Sequence, residues 1–192
     1  AADSSGNGNT GTLNNGPMWV TVKIGNWALD FNGTNNYVVI NPSSSINNLG
    51  PVTYAAWVNL AAAPAGFNDI TQKRRQSFAL SNSVSPASLN FFVSLSTTNL
   101  SARCSNAIQL NTWTHVAVTW NNLVGASAVV NFFVNGIQCP TIFSNTGAGS
   151  TLGDSTNNLA IGSYFNATAE FFNGNIDDVR ICHLGDLAQA PH

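Results

Sequence analysis

Oxygen-bearing side chains alternate with glycines at the start of the chain, in Asp3-Ser4-Ser5-Gly6-Asn7-Gly8-Asn9-Thr10-Gly11. Glycines at 6, 8 and 11 let the backbone turn tightly and aim carbonyl oxygens inward, while Asp3, Asn7 and Asn9 add side-chain oxygens. Calcium takes about six to eight such hard ligands, so a structural calcium loop is one expectation. A metal-free turn, in which Asn and Asp cap backbone amides, is the other.

A second group of residues suits glycan recognition. Lys73-Arg74-Arg75 holds half of the six basic residues. Arg74, at its centre, could grip a carboxylated or sulfated sugar, since guanidinium binds such anions in bidentate fashion. The competing reading is a solvated turn before the next strand. Phe67, Tyr164 and Phe165 fall in segments that read as loops, and sugars stack on exposed aromatic faces. Trp57, Trp113 and Trp120 lie in strand-like runs and read as core, whereas Trp19 and Trp27 fit neither role readily.

Two-carboxylate hydrolysis is not expected. Asp177 and Asp178 are adjacent, so on a strand they face opposite sides and cannot flank one glycosidic bond. Glu170 is the only glutamate. His115 sits among Val116, Ala117 and Val118, which favours a hydrogen-bonded strand histidine over a catalytic base.

The elements that must position these residues are strands. Of 192 residues only 7% are charged, while 28 are Asn and 16 are Gly. Asn and Gly favour turns and are poor in helix interiors, so many short strands joined by many turns are expected. β-branched and aromatic runs place them at residues 18–24, 28–31, 37–40, 52–60, 78–83, 89–96, 100–105, 114–120, 129–134, 137–142, 159–161 and 174–181. Asn135-Gly136 between two such runs predicts a hairpin with a type I′ turn. Residues 61–69 and 144–158 are the longest predicted loops, and short helical turns are expected near Asn47 and Leu184. One domain over residues 1–192 is expected.

A net charge of −2 with six cations disfavours nucleic acid and anionic membrane surfaces as partners. No apolar run approaches the roughly 18–20 residues of a membrane-spanning helix, and no signal-like segment opens the chain, so an exported protein would already have lost its signal. Cys104, Cys139 and Cys182 match no C-x-x-C pattern. They leave one disulfide and a thiol, or three thiols, with Cys104 and Cys139 preferred as a pair because both sit near predicted strand ends.

Three segments together resemble the laminin-G-like branch of the concanavalin A-like superfamily. The opening Asp3 to Gly11 run, followed by Phe31-Asn32-Gly33-Thr34-Asn35-Asn36-Tyr37-Val38, is similar to D-x-S-G-N-G-N-x-G and F-D-G-x-x-D-Y-V. Trp113-Thr114-His115-Val116-Ala117-Val118-Thr119 leading to Phe133-Val134-Asn135-Gly136 resembles W-x-H-V-A-V-T and Y-V-D-G. Phe172-Asn173-Gly174-Asn175-Ile176-Asp177-Asp178-Val179-Arg180-Ile181 resembles F-x-G-x-I-D-D-V-R-I.

The resemblance implies an all-β, two-sheet antiparallel sandwich of jelly-roll type with first and last strands side by side. That adjacency would bring Asp177 to the opening loop as a second carboxylate beside Asp3, Asn7 and Asn9. Related glucanases carry an E-x-D-x-x-E strand, which is absent. Alginate-lyase relatives use a Tyr, a His, an Arg and an amide; Tyr164-Phe165-Asn166-Ala167 resembles their Y-F-K-A except at the lysine, and His115 and Arg103 are present, but no R-x-E-x-R or Q-x-H strand matches. The leading expectation is a secreted, non-catalytic carbohydrate-binding or adhesion module that binds a glycan or extracellular protein and belongs to a larger assembly. The alternatives are a structural subunit of an extracellular appendage or coat, and a polysaccharide lyase.

Overall fold

The computed structural model describes residues 1–21, 25, 27–81 and 85–183. Fifteen strands run in chain order: β1 Thr12–Asn14, β2 Met18–Val20, β3 Ala28–Asn32, β4 Tyr37–Ile40, β5 Val52–Leu60, β6 Phe67–Lys73, β7 Gln76–Ser81 and β8 Ala87–Val93. They continue as β9 Thr98–Ile108, β10 Thr114–Trp120, β11 Val130–Val134, β12 Ile137–Cys139, β13 Ile142–Ala148, β14 Leu159–Ile161 and β15 Asn173–His183. Among the described residues the sole helical element is a single 3-10 turn at Gly125–Ser127. No helix there is long and apolar enough to cross a membrane.

The strands form two antiparallel sheets. One has eight strands in the order β1-β4-β14-β6-β7-β8-β9-β13, the other seven in the order β12-β11-β10-β5-β15-β3-β2. Alternation decides which side faces in. Along β5, Val52, Tyr54, Ala56, Val58 and Leu60 are buried, while Thr53, Ala55, Trp57 and Asn59 point the other way. The inward sides meet in one core in which Phe31, Phe78, Phe91, Phe132, Phe172 and Trp120 are fully buried. Each such side chain contributes about 1.5–3 kcal/mol by leaving water.

The abundance of Asn has a local reason. Six of the nine described non-glycine residues with positive φ are Asn: Asn15, Asn48, Asn106, Asn111, Asn122 and Asn135. Asn135 and Gly136, with φ of 50° and 78°, close the β11–β12 hairpin as the type I′ turn requires.

Several expectations are corrected. The segment 61–69 is not all loop, because β6 begins at Phe67. The run 137–142 is two strands in different sheets, since Pro140 lacks the N–H that a continuous ladder needs. The segment 144–158 begins as β13, paired with β9. First and last strands are not neighbours: β1 pairs with β4 in the eight-stranded sheet, whereas β15 lies between β3 and β5 in the other. The segment around Asn47 is a turn, and the helical turn expected near Leu184 lies outside the described residues, as do 22–24 of the strand expected at 18–24 and 82–83 of that expected at 78–83.

Cys104 and Cys139 form a disulfide that links β9 to β12 and hence one sheet to the other. Cys182 is a free thiol.

Candidate functional site

The opening loop closes on itself. Asp3 accepts the backbone N–H groups of Ser5 at 2.9 Å and Asn9 at 2.7 Å, and these bonds hold its carboxyl below the usual carboxylate range. Asn9 Oδ1 accepts the hydroxyls of Ser43 and Ser45, just beyond β4. Asn7 donates through Nδ2 to Ser5 Oγ. Asp177 is elsewhere, on β15 opposite Trp57 of β5. Among the described residues no group of three or more His, Cys, Asp or Glu side chains converges. Asp3, Asn7 and Asn9 share this loop, whereas Asp177, the second carboxylate expected beside them, stands on β15 in the seven-stranded sheet.

The basic triplet divides by burial. Arg74 and Arg75 form the two-residue turn between β6 and β7, where Lys73 pairs with Gln76. Arg74 is exposed, but Lys73 and Arg75 are buried. Lys73 Nζ donates to Asn47 Oδ1 at 2.8 Å and to the Asn157 carbonyl at 2.7 Å, with Asp154 at 4.0 Å. Arg75 donates to the Leu49 carbonyl. Burial pulls both cations below their ordinary values while the Asp154 charge opposes that. They tie loops to the sheet rather than face a ligand.

The aromatic residues expected at a rim occupy separate places. Tyr164 and Phe165 pack on each other at 4.8 Å in the 162–172 segment, which crosses the outer side of β6. Phe165 donates its backbone N–H to Gln72 Oε1 at 2.7 Å, and Asn68 Nδ2 donates to the Phe171 carbonyl. Phe67 stands edge-on to Phe92 at 5.1 Å. Since Phe67 opens the seven-residue β6 and Arg74 follows its last residue, roughly 20 Å of strand separates them. Phe67, Arg74, Tyr164 and Phe165 therefore do not form one site.

Nor do the three residues of the lyase comparison meet. His115 lies on the outer side of the seven-stranded sheet, edge-on to Trp57 at 5.4 Å, and burial lowers its pKa. Its backbone N–H donates to Asn135 Oδ1 at 2.9 Å. Arg103 is on the outer side of β9, bonded to Ser105 and Ser144, and Tyr164 is in the 162–172 segment.

Phe67 is exposed, as expected of a rim aromatic, but the most exposed aromatic side chains are the two tryptophans that the sequence left unplaced. Trp19 on the edge strand β2 is 49% exposed and Trp27, immediately before β3, is 58% exposed. Their side chains line an open cleft of about 450 Å³, within the size range of small-ligand sites. Met18 beside them is also exposed. The one sequence cue was the pair of indoles eight positions apart on neighbouring strand-like runs, since the edge position of β2 follows from the strand order. Trp57 and Trp113, read as core, are only half-buried, so Trp120 alone of the three belongs there.

Two antiparallel sheets over one core and the three-part motif define a lectin-like sandwich. A family model for the concanavalin A-like lectin/glucanases superfamily matches residues 32–184, and the chain belongs to that family. Its fold is similar to domain 4 of AbnA, a GH43 extracellular arabinanase from Geobacillus stearothermophilus, solved with arabinotriose. The TM-score is 0.69 at 20% identity, over 94% of this chain and 85% of that one. It is also similar to the binding domain of botulinum neurotoxin DC in complex with SialylT, with TM-score 0.64, 13% identity and 94% of this chain covered. This chain spans 44% of that domain. A heptameric SAP-like pentraxin from Limulus polyphemus matches with TM-score 0.57 and 18% identity, over 79% of this chain and 73% of that one. No curated protein matches the chain.

Proposed function

We propose that this protein is a secreted, non-catalytic carbohydrate-binding module whose saccharide contact is the cleft between Trp19 and Trp27. The observation that carries the reading is the pair of half-exposed indoles around one open cleft. An exposed indole leaves a large apolar area in water, and the flat C–H face of a sugar ring covers it well. Two of the similar folds support the same class of ligand, since one was solved with arabinotriose and one with SialylT.

Stacking on one indole contributes on the order of 1 kcal/mol, so monovalent binding is weak and useful affinity needs several contacts or several copies. A glycan array followed by calorimetry with Trp19→Ala and Trp27→Ala tests this. Each variant is expected to lose about fivefold in affinity while its melting temperature stays within about 2 °C of the parent. Binding that survives the double substitution, or no binding to any neutral or anionic polysaccharide at millimolar concentration, would defeat the proposal.

A further inference from the structure

Asp69 is the one fully buried carboxyl on the outer side of β6, and it lies under the 162–172 segment. Oδ1 accepts the Ser77 hydroxyl at 2.6 Å. Oδ2 is sealed from solvent and meets no conventional donor, yet the Glu170 carboxyl is within hydrogen-bonding reach of this side chain. Two carboxylates cannot share such a position as anions, but a carboxyl can donate to a carboxylate. Glu170 also adopts a φ of 58°, which costs an L-residue of this kind on the order of 1 kcal/mol and persists only where its surroundings hold it.

Backbone contacts make this pair a junction. The Asp69 N–H donates to the Glu170 carbonyl at 2.9 Å and the Gly162 N–H to the Ile70 carbonyl at 3.1 Å. The segment is thus held to β6 at both ends, with the Tyr164–Phe165 pair between them. We propose that the buried Asp69 carboxyl keeps its proton, with Oδ2–H donating to the Glu170 side chain, and that this proton is the latch holding the 162–172 segment, with its aromatic pair, on the eight-stranded sheet.

The surrounding charges leave the proton as the available counter-ion. β7, β8 and β14 carry no ionisable side chain. On β6 the other charged group is Lys73, which is engaged with Asn47, Asn157 and Asp154, and within 162–172 the other titratable group is Tyr164. Burial, then the hydrogen bond to Glu170, raises the Asp69 carboxyl well above its ordinary value, while the Ser77 bond opposes the rise. The folded state therefore holds a proton that the unfolded chain releases, so the latch is intact at low pH and weakens as pH rises through the folded-state value. On opening, the proton passes to solvent and two like charges face each other. Full burial of Asp69 keeps substrates away, so the pair acts as a fastening and not as an acid–base couple in catalysis.

Hydrogen exchange of the full chain from about pH 5 to 9, corrected for intrinsic rates, tests the latch. Protection of 162–172 is expected to fall at least tenfold with rising pH while that of β10 stays level. Asp69→Asn keeps an acceptor for Ser77 and supplies a permanent donor to Glu170, so its segment is expected to stay protected at every pH. Glu170→Gln supplies a donor from the other side and serves if Asp69→Asn fails to fold. Level protection of 162–172 in the parent, or the same pH dependence in a folded variant, would overturn the proposal.

Discussion

Cys104 of β9 and Cys139 of β12 join the two sheets, with Cα atoms 6.0 Å apart and a separation of 35 positions in sequence. The bond sits where β12 hands over to β13 through Pro140, at the point where the chain leaves one sheet for the other. A covalent tie there limits the unfolded chain more than the folded one. Loop-closure entropy for this separation gives about 4 kcal/mol as an upper figure. The double substitution Cys104→Ala with Cys139→Ala is expected to lower unfolding free energy by about 2–4 kcal/mol in urea. An unchanged midpoint would show that packing alone holds the sheets in register.

The opening loop makes a prediction about pH and metal together. Asp3 is held ionised by the N–H groups of Ser5 and Asn9, so its folded-state pKa lies below its unfolded one. The contribution is present above the ordinary carboxyl range and is lost as pH falls through the folded value. Asp3→Ala is expected to cost about 1 kcal/mol near neutral pH, roughly 2–4 °C in melting temperature, as for other Asx caps. Chelation is expected to leave the melting temperature in place, because both oxygens of Asp3 already accept backbone donors and Asn9 Oδ1 already accepts the Ser43 and Ser45 hydroxyls. A drop of several degrees on verified metal removal would reinstate a calcium site there.

Neighbouring cations should behave differently on substitution. Lys73→Met strips a donor from Asn47 and from the Asn157 carbonyl and leaves the buried Asp154 without its ion-pair partner, with Arg75 as the remaining nearby cation. Breaking one partner of such a buried pair costs about 3–5 kcal/mol. Arg74→Ala removes an exposed side chain at the turn and should stay within about 0.5 kcal/mol of the parent. Denaturant unfolding of the two variants compares them directly, and equal losses would contradict the division by burial.

That contrast also shows which parts of the molecule the sequence exposes to reading. Strands that bury one side, such as β5 and β10, announce themselves by alternation, and Asn135-Gly136 by its demand for positive φ. β6 is buried on both sides from Asp69 to Lys73, so its polar residues look like a loop until the 162–172 segment is seen lying over them. The same long-range cover hides the Asp69–Glu170 contact, whose partners are 101 positions apart. Residue types suggested aromatic glycan contacts, and Phe67 is indeed exposed, but Trp19 and Trp27 are more exposed and share one cleft, a placement at a sheet edge that is fixed by strand order rather than by local sequence.

The last prediction concerns Gly174, where β15 passes between β3 and β5 opposite Phe31 and Leu60. Its φ is 135°, a region that L side chains rarely adopt. A Cβ there would stand 2.1 Å from the Asn59 carbonyl oxygen and 2.9 Å from the Ala61 nitrogen, both backbone atoms. Neither can yield by a rotamer change, and moving Ala61 would strain the hydrogen bond from its N–H to the Asn173 carbonyl. Strain of this kind costs about 3 kcal/mol, so Gly174→Ala is expected to lower the melting temperature by roughly 6–12 °C. Gly66 is the control: a Cβ there meets nothing within 4 Å, and Gly66→Ala reduces only the freedom of the unfolded chain, which should be neutral or stabilise by up to about 1 kcal/mol. A Gly174→Ala protein that melts with the parent would mean that β15 can shift along its neighbours, and the register placing Asp177 opposite Trp57 would then fail with it.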